Sequence, residues 1–260
     1  MKNYLITVNN KNFLCKYIMT DLVSFIFVNR GGKNLMDAIR NIQKVYSDYN
    51  KEILIIEQDD NKPFLRGQLF NVGVKLAKGK YIALSDNDMY HLRKVPWIDI
   101  YENYQKPLIG FKYISQIRLE NGRPIITRTD ACPTGFGGFN FMKKTDFENF
   151  NGFSNLFVGW GFEDNTYALR FEYVRIPQNL GHISHPRRLF NDPKNRDYNY
   201  ELYQNAKTRD SKLDGYAQTT FNIVSEETIM NDVKLIKVNS ISVCDGFAYK
   251  DILDKQYSLV

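Results

Sequence analysis

Three short apolar runs, separated by stretches of helical periodicity, constrain this chain more than any other feature. Val23-Ser24-Phe25-Ile26-Phe27-Val28, Glu52-Ile53-Leu54-Ile55-Ile56-Glu57 and Tyr81-Ile82-Ala83-Leu84 are nearly continuous in apolar character, as strands buried on both faces are. Between the first two, Leu35, Ile39, Ile42 and Tyr46 recur at helical spacing behind Asn34, a residue suited to cap a helix. Between the second and third, Leu65, Leu69, Val72 and Leu76 fall on one side of a helix over 64–77, with Gly79 at its end. The order βαβαβ predicts an α/β fold with an open, mostly parallel sheet whose ligands gather beyond the carboxyl ends of the strands. Arg30, Asp59 and Asp86 stand at those ends.

The third run leads into Ser85-Asp86-Asn87-Asp88-Met89. Two acids one residue apart on an extended chain point to the same side, and paired carboxylates repel unless something positive lies beside them. That leaves a divalent cation or a solvated turn as readings of the pair. Gly31-Gly32 lacks the third glycine of GxGxxG, and no GxxxxGK[ST] loop occurs, so nucleotide binding would need another device.

Further along, 107–113 reads as a strand and 116–127 as a hairpin turning at Asn121-Gly122, with Pro124 marking an edge. Thr134-Gly135-Phe136-Gly137-Gly138-Phe139 is a glycine-rich approach to another strand, open to a ligand or to a bulge. Thr145 can cap a short helix over 146–150. In Gly159-Trp160-Gly161-Phe162-Glu163-Asp164-Asn165 the indole between two glycines offers a platform for a sugar ring. The acids following it start a helix expected to run to 173, and capping alone would also favour them there. His182 and His185, placed after a strand, can give two nitrogens to a transition metal, with an aspartate completing a set suited to manganese. His91 reads as a surface residue or one behind the ligands. Val233-Lys234-Leu235-Ile236-Lys237-Val238 alternates as an edge strand does, or forms a membrane- or partner-binding appendage.

A formal charge of +6 and a pI near 9.0 favour an anionic ligand or surface, while the scattered lysines argue against nucleic acid. Cys15, Cys132 and Cys244 are an odd, widely spaced set, which fits reduced thiols and a cytosolic location. Apolar runs in the first twenty residues are broken by Asn, Lys and Asp, so neither signal peptide nor membrane span is read there.

In order, these features resemble the β-1,4-galactosyltransferase family, inverting enzymes of the GT-A fold with its Rossmann-like sheet and flanking helices. Ile26-Phe27-Val28-Asn29-Arg30 is similar to PFRNR, and Phe64-Leu65-Arg66-Gly67-Gln68-Leu69-Phe70-Asn71-Val72-Gly73 to FNRAKLLNVG. Asp86-Asn87-Asp88 stands for DVD and Phe136-Gly137-Gly138 for FGG. The stretch from Asn151 to Asn165 resembles NGFPNNYWGWGGEDDD, and Lys212-Leu213-Asp214-Gly215-Tyr216 resembles LSDGL. The match runs over about 24–224. It implies a catalytic domain over 1–224, with a nucleotide-sugar half at about 22–90 and an acceptor and metal half at about 107–224. Residues 225–260 then form a C-terminal appendage of the same domain.

The resemblance implies roles residue by residue. Asn29, Arg30, Phe64, Arg66, Asp86, Gly135, Gly137 and Gly138 would bind the UDP-sugar, Phe64 stacking on uracil and Asp86 facing the ribose. Asp88, His182 and His185 would ligate Mn²⁺, His182 taking the place of a methionine in the vertebrate enzymes. Trp160, Gly161, Glu163 and Asn165 would hold a saccharide acceptor, with Asp164 as general base. Gly135 stands where a tyrosine commonly crowds the donor's C2 substituent, so UDP-GalNAc is expected to be accepted as well as, or instead of, UDP-Gal. Asn165 replaces an acid and Phe162 a glycine, which leaves the acceptor open. The implied setting is a cytoplasmic enzyme, peripheral at the inner membrane face, extending surface polysaccharide on a lipid-linked acceptor. A retaining enzyme of the polypeptide N-acetylgalactosaminyltransferase type and a non-catalytic carbohydrate-binding protein on the same fold are the rival readings.

Overall fold

The computed structural model describes residues 5–8, 11–14, 21–131, 136–159, 161–183, 193–206 and 211–241. The three apolar runs form β3 (Val23–Asn29), β4 (Lys51–Gln58) and β5 (Tyr81–Ser85), after a separate antiparallel hairpin of β1 (Leu5–Val8) and β2 (Lys11–Leu14). β3 is buried along its whole length because it lies between β4 and β5, parallel to both. The expected crossovers are α1 (Leu35–Val45) and α2 (Arg66–Leu76). Leu35, Ala38, Ile39 and Ile42 put the apolar face of α1 on the core. Asn34 holds the N-cap position through its carbonyl, which accepts the Ala38 N–H at 3.1 Å, and its side chain does not cap.

The remaining elements are β6 (Met89–Tyr90), α3 (Trp97–Tyr104), β7 (Leu108–Glu120), β8 (Arg123–Ala131), β9 (Phe139–Lys143), α4 (Lys144–Asn149), α5 (Glu163–Ala168), β10 (Val174–Ile183), α6 (Pro193–Gln204), β11 (Asn222–Met230) and β12 (Val233–Asn239). Among the described residues one large sheet runs β11-β12-β4-β3-β5-β9-β7-β10-β6, with β8 added on β7. Parallel pairing is confined to β12-β4-β3-β5 and to β7-β10; the other neighbours are antiparallel, so the sheet is mixed. The antiparallel partners enter where connections are hairpins or returning strands rather than helical crossovers.

Several local expectations shift. The segment over 107–113 and the first arm of the 116–127 hairpin fuse into the single strand β7, with Ser115 buried within it and bonded to Thr129 of β8 at 2.8 Å. The hairpin does turn at Asn121-Gly122, both at positive φ, and β8 is the edge strand. α4 starts straight from β9, so Thr145 lies inside the helix and caps nothing. α5 stops at Ala168 rather than 173, since Arg170 leaves it to donate to the carbonyls of Asn151, Gly152 and Asp214. β12 pairs parallel with β4, and β11 covers it as the outermost strand. The three cysteines lie outside the described residues.

α2 is buried on nearly every side, residues 67–74 without a break. It is wedged between the sheet and the 151–159 loop. A Cβ on Gly73 would stand 2.4 Å from Ile26 Cγ2 and 3.1 Å from Ile56 Cγ1, and one on Gly67 3.0 Å from Phe153 Cβ. Gly73→Ala is therefore expected to destabilise by about 1–2 kcal/mol, overpacking against stiff β-branched neighbours outweighing the gain in helix propensity. A urea melt checks this, and a stability gain would refute the tight contact.

Candidate active site

At the carboxyl ends of β3, β4 and β5 a polar chain ties the strand tips together. Asn29 Nδ2 donates to Glu57 Oε2 at 2.6 Å, while Asn29 Oδ1 accepts from the Gly32 N–H at 2.9 Å and from Asn87 Nδ2 at 3.3 Å. Gly32 is needed there, as a Cβ on it would overlap the Asn87 amide. Arg30 is exposed one residue past β3. Asp86 begins the turn after β5, and the glycine-rich approach closes on it from both sides: its N–H donates to the Gly138 carbonyl at 2.8 Å, and its Oδ2 accepts the Gly138 N–H at 3.2 Å. Gly138 adopts φ +85°, which suits glycine.

Asp88 meets His182 through strand pairing. β6 follows Asp88 directly and pairs with β10 so that Met89 opposes His182, and the Asp88 carbonyl accepts the Ile183 N–H at 2.8 Å. Asp88 Oδ2 lies 3.1 Å from His182 Nε2. The other ring nitrogen, Nδ1, lies 3.2 Å from Oε1 of Gln116, which the β7-β10 register places beside it. His182 is thus inside β10, not after a strand, and Gln116 is a partner that no sequence pattern pointed to. Burial disfavours the His182 charge, but Asp88 outweighs it and raises the pKa. His185, Trp160 and Gly135 lie outside the described residues.

Arg66, first residue of α2, joins the two halves of the site. Its Nε and Nη2 reach Asp86 Oδ1 at 2.8 and 2.7 Å, and its Nη1 reaches Glu163 Oε1 at 3.1 Å. Glu163 Oε2 also accepts the Gly161 N–H at 3.1 Å. Burial raises the pKa of Glu163, and Asp164 adds to this while Arg66 opposes it; Asp86 is raised by burial too, again against Arg66. Burial acts against the Arg66 charge, yet Asp86, Glu163 and Asp164 together hold the guanidinium firmly protonated. One buried cation thus serves three carboxylates. Asp164 is half-buried; its Oδ1 accepts the Asn165 N–H at 2.8 Å, and its Oδ2 lies 2.9 Å from where a Cβ on Gly137 would sit. Phe64 is half-buried and its carbonyl accepts the Gly159 N–H at 3.0 Å, which links the start of α2 to the loop before Trp160.

The loop carrying these acids is anchored from the Asp214-Gly215-Tyr216 segment. Buried Asp214 accepts the Asn155 N–H at 2.7 Å and the Ser154 hydroxyl, and the Tyr216 N–H donates to the Asn151 carbonyl at 2.8 Å. That motif is structural. His91 is buried as well, its Nδ1 2.8 Å from the Tyr46 hydroxyl and its backbone clamped by Asn41. Burial depresses its pKa to about 3, so it is a neutral core residue and not a surface one.

Residues 126–187 match the family described as the N-terminal domain of galactosyltransferase. β-1,4-Galactosyltransferase 7 of Drosophila melanogaster is 25% identical over 206 residues, covering 74% of this chain and 60% of the relative. β-1,4-Galactosyltransferase 4 of Homo sapiens is 28% identical over 213 residues, covering 75% and 56%. The chain spans about half the length of the curated relatives it matches, from 47% to 60%. The crystal structure of the Drosophila β-1,4-galactosyltransferase 7 catalytic domain with xylobiose superposes with a TM-score of 0.65 at 19% identity, covering 87% of this chain and 95% of that one. A mutant of that domain holding manganese, UDP-Gal and xylobiose gives 0.58 at 18% identity, with the same coverage. The architecture is that of GT-A glycosyltransferase catalytic domains, and the chain is similar in sequence to β-1,4-galactosyltransferases.

Proposed function

We propose that this protein transfers galactose or N-acetylgalactosamine from a UDP-sugar to a saccharide acceptor with inversion, forming a β-glycoside. The observation that carries the reading is the convergence of Asp86, Asp88, His182, Arg66, Glu163 and Asp164 at one end of the sheet, in a chain of galactosyltransferase kinship. The facing Asp88 oxygen and His182 nitrogen, one hard and one intermediate donor, suit a divalent ion such as Mn²⁺. Gln116 beside Nδ1 leaves Nε2 as the ligating nitrogen, the arrangement that orients metal-bound imidazoles generally. His185 is the third ligand in this reading. Bound there, Mn²⁺ would offset charge developing on the departing diphosphate.

The chain's own groups do the rest. Asn29, Arg30, Phe64, Asp86, Gly137 and Gly138 hold the donor, and Trp160, Gly161, Glu163 and Asn165 the acceptor. Asp164 takes the proton from the acceptor hydroxyl. The hydroxyl oxygen bonds to the anomeric carbon opposite the UDP, and the bond to the UDP oxygen breaks with its electron pair. Arg66, already shared by Asp86 and Glu163, acts by fixing those acids more than by meeting phosphate directly. The small residue Gly135 supports acceptance of UDP-GalNAc beside UDP-Gal. Xylobiose in the Drosophila relative supports a saccharide acceptor. The positive charge of the chain supports a lipid-linked acceptor at the cytoplasmic face of the membrane, in surface polysaccharide synthesis. Among the described residues no helix is long and apolar enough to cross a membrane.

A thermal-shift series with UDP, UDP-Gal and UDP-GalNAc, with and without Mn²⁺, tests this. At about 100 times its Kd, UDP with Mn²⁺ should stabilise the fold by about 2.7 kcal/mol. In Asp88→Ala the Mn²⁺-dependent part should vanish. Absence of any Mn²⁺-dependent shift in the wild type refutes the donor site, and an α-linked product seen by NMR refutes inversion.

A further inference from the structure

The hairpin of β7 and β8 reaches past the candidate site at its ligand end. β7 runs parallel to β10 with Gln116 beside His182, and continues to Glu120 before the chain turns at Asn121-Gly122. Four further residues at about 3.3 Å each carry the turn about 13 Å beyond the level of His182. The face that this arm shares with the site is basic. His182, Gln116 and Arg128 stand in one row across the strands, and Arg118 with Ile125, then Glu120 with Arg123, follow on the same side farther out.

Two aliphatic side chains stand open near the tip, one on each face. Ile125 is 42% exposed on the basic side, and Ile126 is 53% exposed on the other, although it pairs with fully buried Ile117. At the base of the arm Leu92 and Leu119 pack, half-buried, on Tyr90, Ile117 and Ile183, and exposed Arg93 follows Leu92. Arg118 and Arg128 each pair with an acid two residues along, Glu120 and Asp130, but both arginines stay largely in solvent, where such pairs hold weakly. Arg123 is exposed and makes no ion pair among the described residues. Among those residues β8 pairs only with β7, and Pro124 blunts its open edge against addition of another strand.

We propose that this arm docks the protein on an anionic phospholipid surface. The arginines meet headgroup phosphates, and Ile125 and Ile126 enter the boundary between headgroups and acyl chains. The inference rests on the glycosyltransferase reading for its choice of a membrane, and it adds the surface that makes the contact. A protein partner would cover one face of so thin an arm, whereas a bilayer receives both faces of a tip pushed into it. A second copy laid on the basic face would set arginines against arginines. Entry stays shallow, because the open backbone edge of β8 needs water or headgroups for its hydrogen bonds. Since the arm flanks the row of His182 and Gln116, docking through it holds the site within reach of sugars at headgroup level.

Co-sedimentation of the full chain with vesicles of phosphatidylcholine, alone or mixed with phosphatidylglycerol, tests this, alongside transfer from UDP-Gal with Mn²⁺ to soluble saccharides. The protein should bind the mixed vesicles about tenfold more tightly than phosphatidylcholine alone, a preference that shrinks with added salt. Ile125→Ser with Ile126→Ser, and separately Arg118→Gln with Arg123→Gln, should each weaken binding to the mixed vesicles by about tenfold. Transfer to soluble saccharides and the urea midpoint should stay at wild-type values in both. Wild-type binding that is absent, or indifferent to phosphatidylglycerol, overturns the proposal, as does binding that either double variant retains. Light scattering that shows a dimer broken by Ile125→Ser with Ile126→Ser overturns it in favour of self-association. Transfer to soluble sugars without vesicle binding removes the docking alone. Vesicle binding lost in both variants, with no transfer to any acceptor, supports the docking and counts against the glycosyltransferase reading.

Discussion

Asp164→Asn is expected to lower kcat for sugar transfer by about 10²–10⁴-fold, the usual worth of a positioned general base, with UDP affinity near wild type. The choice between the two adjacent acids follows from their surroundings. Glu163 is 6% exposed, and both its oxygens are taken, one by Arg66 and one by the Gly161 N–H. Asp164 is half-buried, holds the Asn165 N–H with Oδ1, and keeps Oδ2 against the glycine face of Gly137. An asparagine keeps the shape, and its carbonyl can still accept from Asn165, so the start of α5 should survive. What it loses is the capacity to take a proton. Steady-state rates with UDP-Gal, Mn²⁺ and a saccharide acceptor, set beside a UDP titration, check this; kcat within twofold of wild type would rule Asp164 out as the base.

The alternation of buried strands and helices was readable because β3, β4 and β5 are covered on both faces, and so carry unbroken apolar runs that polar-edged strands lack. The second half was harder for the same reason. β8 is exposed along nearly all its length, and β7 carries a buried serine that looks like a break until its Thr129 partner is known. Side-chain bonds made at long range also decide ends that local pattern cannot: Arg170 terminates α5 by bonding residues 18, 19 and 44 positions away. In the candidate site, motif spacing located Asp86, Asp88 and His182. Their meeting depends on the short β6-β10 pairing, and a two-residue strand leaves almost no sequence signal. Arg66 shows the limit most sharply. Its motif suggested a cation for the nucleotide, yet its partners lie 20 and 97 residues away, and only the fold shows them to be carboxylates.

Arg66→Ala should therefore cost more than a surface cation would. Removing one partner from a buried ion-pair network leaves the others charged and unpaired, which typically destabilises by about 3–5 kcal/mol. Here Glu163 is the residue stranded, with Asp164 adjacent and burial already raising its pKa. The sign with pH follows. A carboxyl whose folded pKa lies above its unfolded one takes up a proton on folding, so its contribution is most favourable below the unfolded value and is lost as pH rises through the folded one. Without Arg66 the Glu163 pKa moves further up. The deficit of Arg66→Ala relative to wild type should thus be largest at neutral to alkaline pH and shrink as the buffer is taken down toward the ordinary carboxylate range. Adding Glu163→Gln to Arg66→Ala removes the stranded charge and should recover part of the loss. Urea unfolding of the metal-free protein at several pH values measures all three forms through Cm at constant m. A loss below about 1 kcal/mol, typical of an exposed pair, would mean that Arg66 does not hold the two halves of the site together.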